Sequence, residues 1–368
     1  MNMRPSGVRK IFDLANKVKN PINLSIGEPD FDIPKPVKEE GIKWINAGFN
    51  KYTSSGGIPE LRVKIFRMLK KRGIICDDVI VTAGVTGGLL LALMVTLNPG
   101  DEVVIPDPYF VLYEYQIALL GGKPVFVDTY PDFTLEEDAL RAAITDKTKI
   151  ILINSPNNPT GMVHSKEELE MVARVAKEKN LLVFSDDIYD KFVYDDIERV
   201  YLGQLYDRAI TFGGFSKTWG MTGWRIGFIG APAWLAKACE TLQGQVTSGA
   251  TSIAQRAAIT ALEADPSSVQ YMVDAFAERR ELMLGWAREI PTFKVNEPKG
   301  AFYLFPDVTA TFGNTYNGVT INNADDLALY LLEHAQVAVV SGSAFGSKNC
   351  IRISYAASVE ELKEAMIR

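Results

Sequence analysis

Histidine and cysteine are scarce in this sequence of 368 residues. It contains two histidines, His164 and His334, and three cysteines, Cys76, Cys239 and Cys350. Both histidines lie in polar segments typical of helices, and no cysteines have C-x-x-C spacing. The sequence therefore disfavours a metal site, a Ser-His-Asp triad and a disulfide framework. Scattered cysteines are typical of a reducing compartment, so we expect a cytoplasmic protein without a metal.

Long apolar runs and an excess of basic charge are also absent. No apolar stretch approaches the roughly 18 residues that a membrane span needs. The first residues, MNMRPSGVRKIF, lack the apolar core of a signal peptide. The formal net charge of −6 disfavours nucleic acid as a partner, because that partner requires a basic face. We expect neither a membrane nor a nucleic acid as partner.

Short apolar strands alternate with helical patterns in the middle of the chain. The predicted strands cover 79–82, 102–105, 124–127, 149–154, 181–187, 209–212 and 226–230. This alternation predicts an α/β fold in which helices flank a mostly parallel sheet. Such sheets bind ligands at the carboxyl ends of their strands, and the polar motifs of this chain follow strand ends.

The pattern changes after about residue 265. Residues 267–289 predict one long charged helix, and 300–305, 337–340 and 350–355 predict strands of a smaller α+β unit. Two helices are predicted before the sheet, from the prolines at 34 and 36 to about 47 and from 59 to 71. Glycine and proline interrupt residues 24–31, which are therefore predicted to form a loop.

The segment GGFSKTWGMTGWRIGF, residues 213–228, contains two charged residues, Lys217 and Arg225. Glycines, aromatic rings and hydroxyls around Lys217 would partly desolvate its amine. Desolvation lowers the pKa of a lysine and makes its amine a nucleophile toward aldehydes. An arginine at a fixed offset suits a phosphate. Together these residues suggest pyridoxal 5'-phosphate (PLP) as a cofactor.

Two other interpretations of Lys217 have to be weighed. A lysine in a glycine-rich turn is commonly a solvated surface residue. A P-loop requires glycine directly before the lysine and another glycine five residues before that, but Ser216 and Thr211 occupy those positions. The P-loop is therefore disfavoured, and other parts of the chain must decide between a surface lysine and a cofactor lysine.

Polar residues after two other strands fit PLP, although each has a structural alternative. Asp186 follows the strand LLVFS, where it either caps a turn or pairs with the pyridine nitrogen of PLP. The segment SPNNPTG, residues 155–161, favours a turn whatever its function. In a PLP site, one of its asparagine amides would bind the phenolic oxygen, and Tyr189 could donate to the same oxygen.

Two further positions could bind anions. Gly84 begins a predicted helix whose N–H groups could bind a phosphate, as any strand–glycine–helix turn could. Arg352 lies in the apolar strand CIRISY, and a buried arginine must be paired. Its partner is either a carboxylate of the protein, in a structural salt bridge, or the carboxylate of a ligand.

Six motifs occur in a characteristic order: SPNNPTG, FSDDIYDKFVY, FSKTWGMTGWRIGF, PKGAFYLFPD, VAVVSGSAFG and IRISYAAS. In order and separation they closely resemble those of the class I/II aminotransferases of PLP fold type I, such as aspartate aminotransferases, from about residue 22 onward. The resemblance implies a large PLP-binding domain at 46–270 and a smaller α+β domain formed by both chain ends. That smaller domain would combine part of the N-terminal segment 1–45 with residues 271–368.

The resemblance also implies roles for individual residues at the cofactor ring. Lys217 matches the lysine that forms the Schiff base with PLP and carries the proton during transamination. Asp186 matches the partner of the pyridine nitrogen. Asn158 and Tyr189 match the ligands of the phenolic oxygen, and Phe110 matches the aromatic ring that stacks on the cofactor.

Phosphate and substrate ligands follow from the same resemblance. The phosphate ligands of the family match Gly84, Val85, Thr86 and Arg225. Tyr52 matches a tyrosine that reaches the phosphate of the neighbouring subunit, which implies a homodimer with shared active sites. Arg352 matches the arginine that binds the α-carboxylate of the substrate, and Gly27 and Asn158 complete the substrate site.

The implied reaction transfers the amino group of an L-amino acid, of the aspartate, aromatic or alanine type, to 2-oxoglutarate by a ping-pong mechanism. Some positions depart from the family pattern. Gly213 and Gly214 stand where serine or alanine is usual, which removes one phosphate hydroxyl. Thr86 stands where some aspartate-specific relatives have lysine, and Gly249-Ala250 replaces a common Asn-Pro pair. The latter two departures weaken the case for a dicarboxylate substrate.

Two alternatives to a transaminase remain open from the sequence. A PLP-dependent lyase or synthase of the same fold would also need Lys217, because fold alone does not determine function. A non-enzymatic regulator that senses PLP would be expected to carry an additional basic DNA-binding domain, and the negative charge of this chain does not favour one.

Overall fold

The computed structural model describes residue 11 and residues 13–368, so the remainder of the predicted N-terminal segment 1–45 lies outside the described residues. The described strands are β1 (Ile22–Asn23), β2 (Asp78–Thr82), β3 (Glu102–Asp107), β4 (Lys123–Asp128), β5 (Thr148–Asn154), β6 (Leu182–Asp186), β7 (Ala209–Gly214), β8 (Gly227–Ala231), β9 (Tyr303–Leu304), β10 (Thr315–Tyr316), β11 (Val319–Thr320), β12 (Val337–Ala338), β13 (Val340–Ser341) and β14 (Ile351–Ser354).

Helices surround and connect these strands. The described α-helices are α1 (Lys35–Asn46), α2 (Pro59–Lys71), α3 (Gly84–Thr96), α4 (Leu112–Leu119), α5 (Glu137–Ala143), α6 (Lys166–Glu178), α7 (Leu202–Leu205), α8 (Ala233–Val246), α9 (Ser252–Glu263), α10 (Ser267–Arg288), α11 (Ala324–Tyr330) and α12 (Val359–Ile367). Short 3-10 turns cover Thr222–Trp224, Thr309–Thr311 and Gly342–Phe345, and a π-helical turn covers Leu331–Ala335. No helix of the described residues is long and apolar enough to cross a membrane.

A seven-stranded sheet forms the larger layer of the described chain, in the order β2-β8-β7-β6-β5-β3-β4. Only β8 runs antiparallel to its neighbours within this sheet. The predicted α/β fold with a mostly parallel sheet is therefore confirmed. Its interior strand β5 contains an apolar run, IILI, because helices cover both faces of such a sheet.

Smaller sheets lie near the carboxyl end of the chain. Strands β13, β14 and β9 form a three-stranded antiparallel sheet, and β1 pairs in parallel with β12. The pairing of β1 with β12 joins the two ends of the chain, as the predicted fold class requires. The exact domain boundaries at 45/46 and 270/271 stay a prediction.

Local sequence explains where several helices begin. Prolines occupy the first turn of α1 and α2, where the missing N–H group costs no hydrogen bond. Ser165 and Glu168 form a capping box at the start of α6. Helices α1 and α2 begin and end within one or two residues of their predicted bounds.

Other elements differ from the sequence-based expectation. Helices α8 and α9 were not predicted; in α9 the buried face consists largely of alanine, which provides little contrast in hydropathy with the exposed face. The predicted strand at 337–340 is two short strands, because β12 pairs with β1 whereas β13 pairs with β14.

The fold brings the polar motifs to one edge of the large sheet. Strands β5, β6 and β7 are adjacent and parallel, so the segments that follow Asn154, Asp186 and Gly214 meet at their carboxyl ends. Helix α3 starts at the same edge after β2. Arg225 directly precedes Ile226 and strand β8, which runs in the opposite direction and therefore begins at that edge.

Candidate active site

A cavity of about 270 Å³ opens at this edge of the sheet. The predicted site residues that line it are Gly27, Val85, Thr86, Phe110, Asn158, Asp186, Tyr189, Lys217, Arg225 and Arg352. These residues come from distant parts of the chain. Asp186 lies in the seven-stranded sheet and Arg352 in the three-stranded sheet. The structure therefore places almost the whole predicted set around one space.

Lys217 lies in the turn after β7 and is partly buried. Its Nζ donates to the carbonyl oxygen of Gly27 at 2.6 Å and lies 5.9 Å from the centre of the Tyr189 ring. Burial lowers the pKa of Lys217 to about 8, and the positive charges of Arg352 and Arg225 act in the same direction, while Glu28 opposes them. The interpretation of Lys217 as a solvated surface residue is wrong.

Asp186 ends strand β6 and is buried. Its Oδ2 accepts from the hydroxyl of Tyr113 at 2.7 Å, and its Oδ1 accepts from the backbone N–H of Ile188 at 3.2 Å. Burial raises the pKa of Asp186 to about 6, although both hydrogen bonds and the charge of Lys217 favour the ionised form. A cationic ligand beside this carboxylate would offset that desolvation.

Arg352 on β14 is only 2% exposed. Its Nη1 donates to Oδ1 of Asn158 at 2.9 Å and its Nη2 donates to the carbonyl oxygen of Ser25 at 2.5 Å. No carboxylate of the described residues forms an ion pair with it, which argues against the structural salt bridge considered from the sequence. Burial lowers the pKa of Arg352, so an anion in the cavity would be stabilised there.

The contact with Arg352 determines how Asn158 is oriented. Since Oδ1 of Asn158 accepts from the arginine, its Nδ2 is the part of the amide left to donate elsewhere. The backbone N–H of Asn158 donates to Oδ1 of Asn154 at 2.9 Å, which fixes the segment after β5. The amide of Asn158 is thus a hydrogen-bond donor at the cavity wall.

Backbone N–H groups and one arginine lie together at the other end of the cavity. Helix α3 begins at Gly84 without a side-chain cap, so the N–H groups of its first turn have no cap acceptor. A Cβ atom on Gly84 would lie 2.5 Å from Nη2 of Arg225, and one on Gly227 would lie 2.7 Å from the backbone nitrogen of Val85. Glycine at both positions permits this close approach, and the resulting cradle suits an anion.

Three predicted positions have a different environment from the rest. Tyr52 is 92% exposed and does not line the cavity, so its predicted contact with a neighbouring subunit stays a prediction. The carbonyl oxygen of Gly27 accepts a hydrogen bond from Lys217, and the place of Gly27 in the substrate site stays a prediction. At Gly214, a Cβ atom would lie within 3.1–3.3 Å of Ile188, Val85 and Gly227, which leaves little room for a serine.

Some residues of the cavity were not predicted. Tyr113 donates to Asp186, and it follows Phe110 by three residues, in the turn that leads into α4. Tyr303 lines the cavity and bonds the hydroxyl of Tyr189 at 2.8 Å. The sequence provides no signal for Tyr303. This residue lies among apolar residues in GAFYLF, a pattern that predicts a core position.

Residues 19–368 match the family model described as "Aminotransferase class I and II". The chain belongs to this family. The predicted resemblance is thereby confirmed over nearly the whole chain, and the chain is a transaminase, an enzyme that exchanges amino groups between amino acids and oxo acids.

Individual relatives agree with the family match. An aspartate aminotransferase of Pyrococcus abyssi (strain GE5 / Orsay) is 41% identical, and the alignment covers 100% of this chain and 95% of that protein. A bifunctional aspartate aminotransferase and glutamate/aspartate-prephenate aminotransferase of Petunia hybrida is 40% identical over 100% of this chain and 80% of that protein. The crystal structure of an aspartate aminotransferase from Rhizobium meliloti has a TM-score of 0.95 at 37% identity, covering 100% and 95% of the two chains.

Proposed function

We propose that this transaminase uses PLP and transfers the amino group of an L-amino acid to 2-oxoglutarate in two half-reactions. The observation that carries the proposal is Arg352, a buried cation that has no carboxylate partner among the described residues, at the cavity that also contains Lys217 and Asp186. An α-carboxylate bound by Arg352 would extend the amino acid toward the lysine amine.

The residues present fit PLP at three points. The uncapped start of α3, with Arg225 beside it, suits the phosphate. Asp186 suits the pyridine nitrogen, because a buried carboxylate with a raised pKa is stabilised by a positive neighbour. Nδ2 of Asn158 and the hydroxyl of Tyr189 are donors suited to the phenolic oxygen. Phe110 at the cavity wall would contact the face of the ring.

When bound, PLP supplies an aldehyde that condenses with amines and a pyridinium ring that accepts electron density. Asp186 holds the proton at the pyridine nitrogen. Lys217 has a pKa of about 8, so a fraction of its amine is unprotonated near neutral pH and can act as a nucleophile. The same amine removes a proton from the α-carbon of the amino acid and returns it during the exchange.

Donor preference is a separate part of the proposal. The names of the relatives include aspartate, glutamate and prephenate, so acidic amino acids are the first donors to test. The cavity walls provide three cationic side chains, Lys217, Arg225 and Arg352, and each already has a proposed role. A second carboxylate must therefore bind to hydroxyl or amide groups, such as Thr86, or to a neighbouring subunit.

The active form is proposed to be a homodimer with shared sites in the cytoplasm. Tyr52 is a large aromatic residue that is 92% exposed in the single chain, as expected of a residue that contacts a second subunit. The three cysteines are buried and unpaired, which favours a reducing compartment. Light scattering of the purified protein measures the oligomeric state. Tyr52→Phe should weaken the binding of PLP, because the variant lacks the hydroxyl proposed to bind the phosphate.

The decisive experiment combines a donor screen with absorbance spectroscopy. Purified protein incubated with PLP should gain a visible absorbance band and should form 2-oxo acids from amino donors only when 2-oxoglutarate is present. Lys217→Ala should lose the band and lower turnover by at least about 10⁴-fold. Lys191→Ala, which removes an exposed lysine outside the cavity, serves as the matched control.

Two results would contradict the proposal. Turnover and an unchanged band in Lys217→Ala would exclude this lysine as the cofactor ligand. Release of ammonia or an elimination product without an oxo acid acceptor would instead favour the alternative of a lyase of the same fold.

A further inference from the structure

The guanidinium of Arg352 lies against two aromatic rings. Its Cζ atom is 4.7 Å from the ring centre of Tyr303 and 4.7 Å from that of Phe345. Both rings are fully buried. Two rings packed against one guanidinium group restrain its orientation, and buried contacts between cations and rings are energetically significant.

The opposite end of Tyr303 reaches the other predicted ligands. Its hydroxyl lies 2.8 Å from the hydroxyl of Tyr189. A Cβ atom on Gly27 would lie 1.9 Å from the same hydroxyl oxygen, so the absence of a side chain at Gly27 makes room for it. One side chain therefore connects Arg352, Tyr189 and the loop that accepts a hydrogen bond from Lys217.

The proposed chemistry determines which hydroxyl donates. The contact of 2.8 Å between the two hydroxyls allows either one to be the donor. A hydroxyl has one proton, so a Tyr189 that donates to the phenolic oxygen of PLP can only accept from Tyr303. Burial raises the pKa of both tyrosines, which keeps both hydroxyls protonated and able to donate.

We propose that Tyr303 is a positioning residue with two roles. Its ring, together with that of Phe345, holds the guanidinium of Arg352 in plane for a substrate carboxylate. Its hydroxyl donates to Tyr189, so that the hydroxyl of Tyr189 donates into the cavity. The proposal rests on the proposed function, because the acceptor of Tyr189 is then the phenolic oxygen of PLP. A planar guanidinium held in this way presents its N–H edge to the cavity. A carboxylate can bind that edge through two parallel hydrogen bonds.

The hydroxyl is tested with Tyr303→Phe, which removes one oxygen atom and keeps the ring. A donor at the phenolic oxygen of PLP stabilises the anionic form, so weaker donation by Tyr189 moves the absorbance titration to higher pH. The midpoint of the visible absorbance titration of the PLP-loaded variant should rise by about half a pH unit or more. An unchanged midpoint would overturn this half of the proposal.

Tyr355→Phe is the matched control for this titration. Tyr355 is fully buried, and its hydroxyl donates to the carbonyl oxygen of Ala301 at 3.4 Å, but it does not line the cavity. Its variant should have the wild-type midpoint. A shift of equal size in Tyr355→Phe would show that the titration reports on general packing, which would also overturn the hydroxyl half.

The ring is tested by the affinity for maleate, a dicarboxylate without an amino group. Phe345→Leu and Tyr303→Leu should each raise the dissociation constant of maleate about tenfold, measured by calorimetry on PLP-free protein. Tyr303→Phe should change it by less than about threefold, because the ring remains. In steady-state assays Phe345→Leu, which leaves the hydroxyl of Tyr303 in place, should raise KM for amino acid and oxo acid alike, with kcat within about threefold of wild type.

Phe184→Leu is the control for the loss of a buried ring, because Phe184 packs against Phe212 away from the cavity. Phe345→Met, which keeps most of the volume, replaces a leucine variant that does not fold. Wild-type affinity for maleate in folded ring variants would overturn the ring half. If wild-type protein shows no visible absorbance band after incubation with PLP, the proposed function is contradicted instead. The calorimetric measurement of maleate binding would still test the role of the rings.

Discussion

Asp186 and Asp187 are neighbours at the end of β6, yet they serve different sides of the molecule. Asp186 faces the cavity, where its partners are the neutral hydroxyl of Tyr113 and one backbone N–H group. Asp187 forms a buried ion pair with Arg199 at 2.7 Å. Among the described residues, no cation binds directly to the carboxylate of Asp186, whereas Arg199 binds that of Asp187.

Two arginines, Arg199 and Arg352, repeat the contrast. Arg199 binds Asp187 and also donates to the carbonyl oxygens of Ser155 and Val200, which ties the end of β6 to the segment after β5. Arg352 has two neutral acceptors and no carboxylate. Among the described residues, Nε of Arg199 and Nε of Arg352 both have no acceptor. The two arginines therefore differ in whether a carboxylate binds the guanidinium. A charge that is paired within the protein is not free to bind a ligand, whereas a charge that is left unpaired is available to one.

The sharpest test of this comparison is the pair Asp186→Asn and Asp187→Asn. Asp186→Asn should lower kcat by on the order of 10³-fold, because the amide cannot hold the proton of the pyridine nitrogen. Near pH 4, where Asp186 is protonated in the folded protein, the free energy of unfolding of the variant should stay within about 1 kcal/mol of wild type, since Tyr113 keeps an acceptor. Steady-state kinetics and urea unfolding measure the two quantities, and a tenfold or smaller loss of kcat would break the assignment of Asp186.

Asp187→Asn should have the opposite profile. Removing one partner of a buried ion pair leaves Arg199 uncompensated, so the free energy of unfolding should fall by about 3 kcal/mol. Arg199→Met should cost a similar amount, and the double variant should cost less than the sum of the two. Denaturant unfolding of all three variants tests this coupling, and strict additivity would contradict the pairing.

The stability of PLP-free protein should depend on pH through Asp186. Its pKa in the folded protein is about 6, above the ordinary value of 3.8, so the folded state binds more protons than the unfolded state between these values. The contribution is therefore fully present below about pH 4 and is lost as pH rises through 6, by about 2 kcal/mol. Unfolding of wild type and Asp186→Asn from pH 4 to 7 should show this difference, and parallel curves would contradict it.

Conservative changes at the two arginines should have the smallest effects. Arg352→Lys retains the charge but loses the planar fork, so KM for amino acid and oxo acid should both rise about tenfold. Arg199→Lys should leave both KM values unchanged and lower the free energy of unfolding by about 1 kcal/mol. Equal effects of the two variants on KM would show that the two arginines do not differ in function.

Much of the site was predictable because its residues occur in local motifs. Lys217 and Arg225 occupy one segment, and Asp186 and Tyr189 occupy another, at separations that any member of the fold must keep. The structure brings these residues to one cavity, as the rule for parallel strand ends predicts. Their chemical roles stay predictions until the variants above are measured.

Other contacts could not be predicted from the sequence. Tyr303 contacts Arg352 and Tyr189 across sequence separations of 49 and 114 residues, and only packing determines such neighbours. Helix α9 was missed because the alanines of its buried face provide a weak hydropathy signal. The absence of a carboxylate beside Arg352 was equally invisible, since a buried arginine is compatible with either kind of partner.

The sequence by itself determined the alternation of strands and helices, the family and the candidate lysine. The alternating direction of side chains along a strand also implies that Asp186 and Asp187 point to opposite faces. Only the tertiary structure decided which of them faces the cavity, because that depends on the layers packed on each side. Tyr113 covers one carboxylate and Arg199 the other, so packing alone left Asp186 without a direct cation partner.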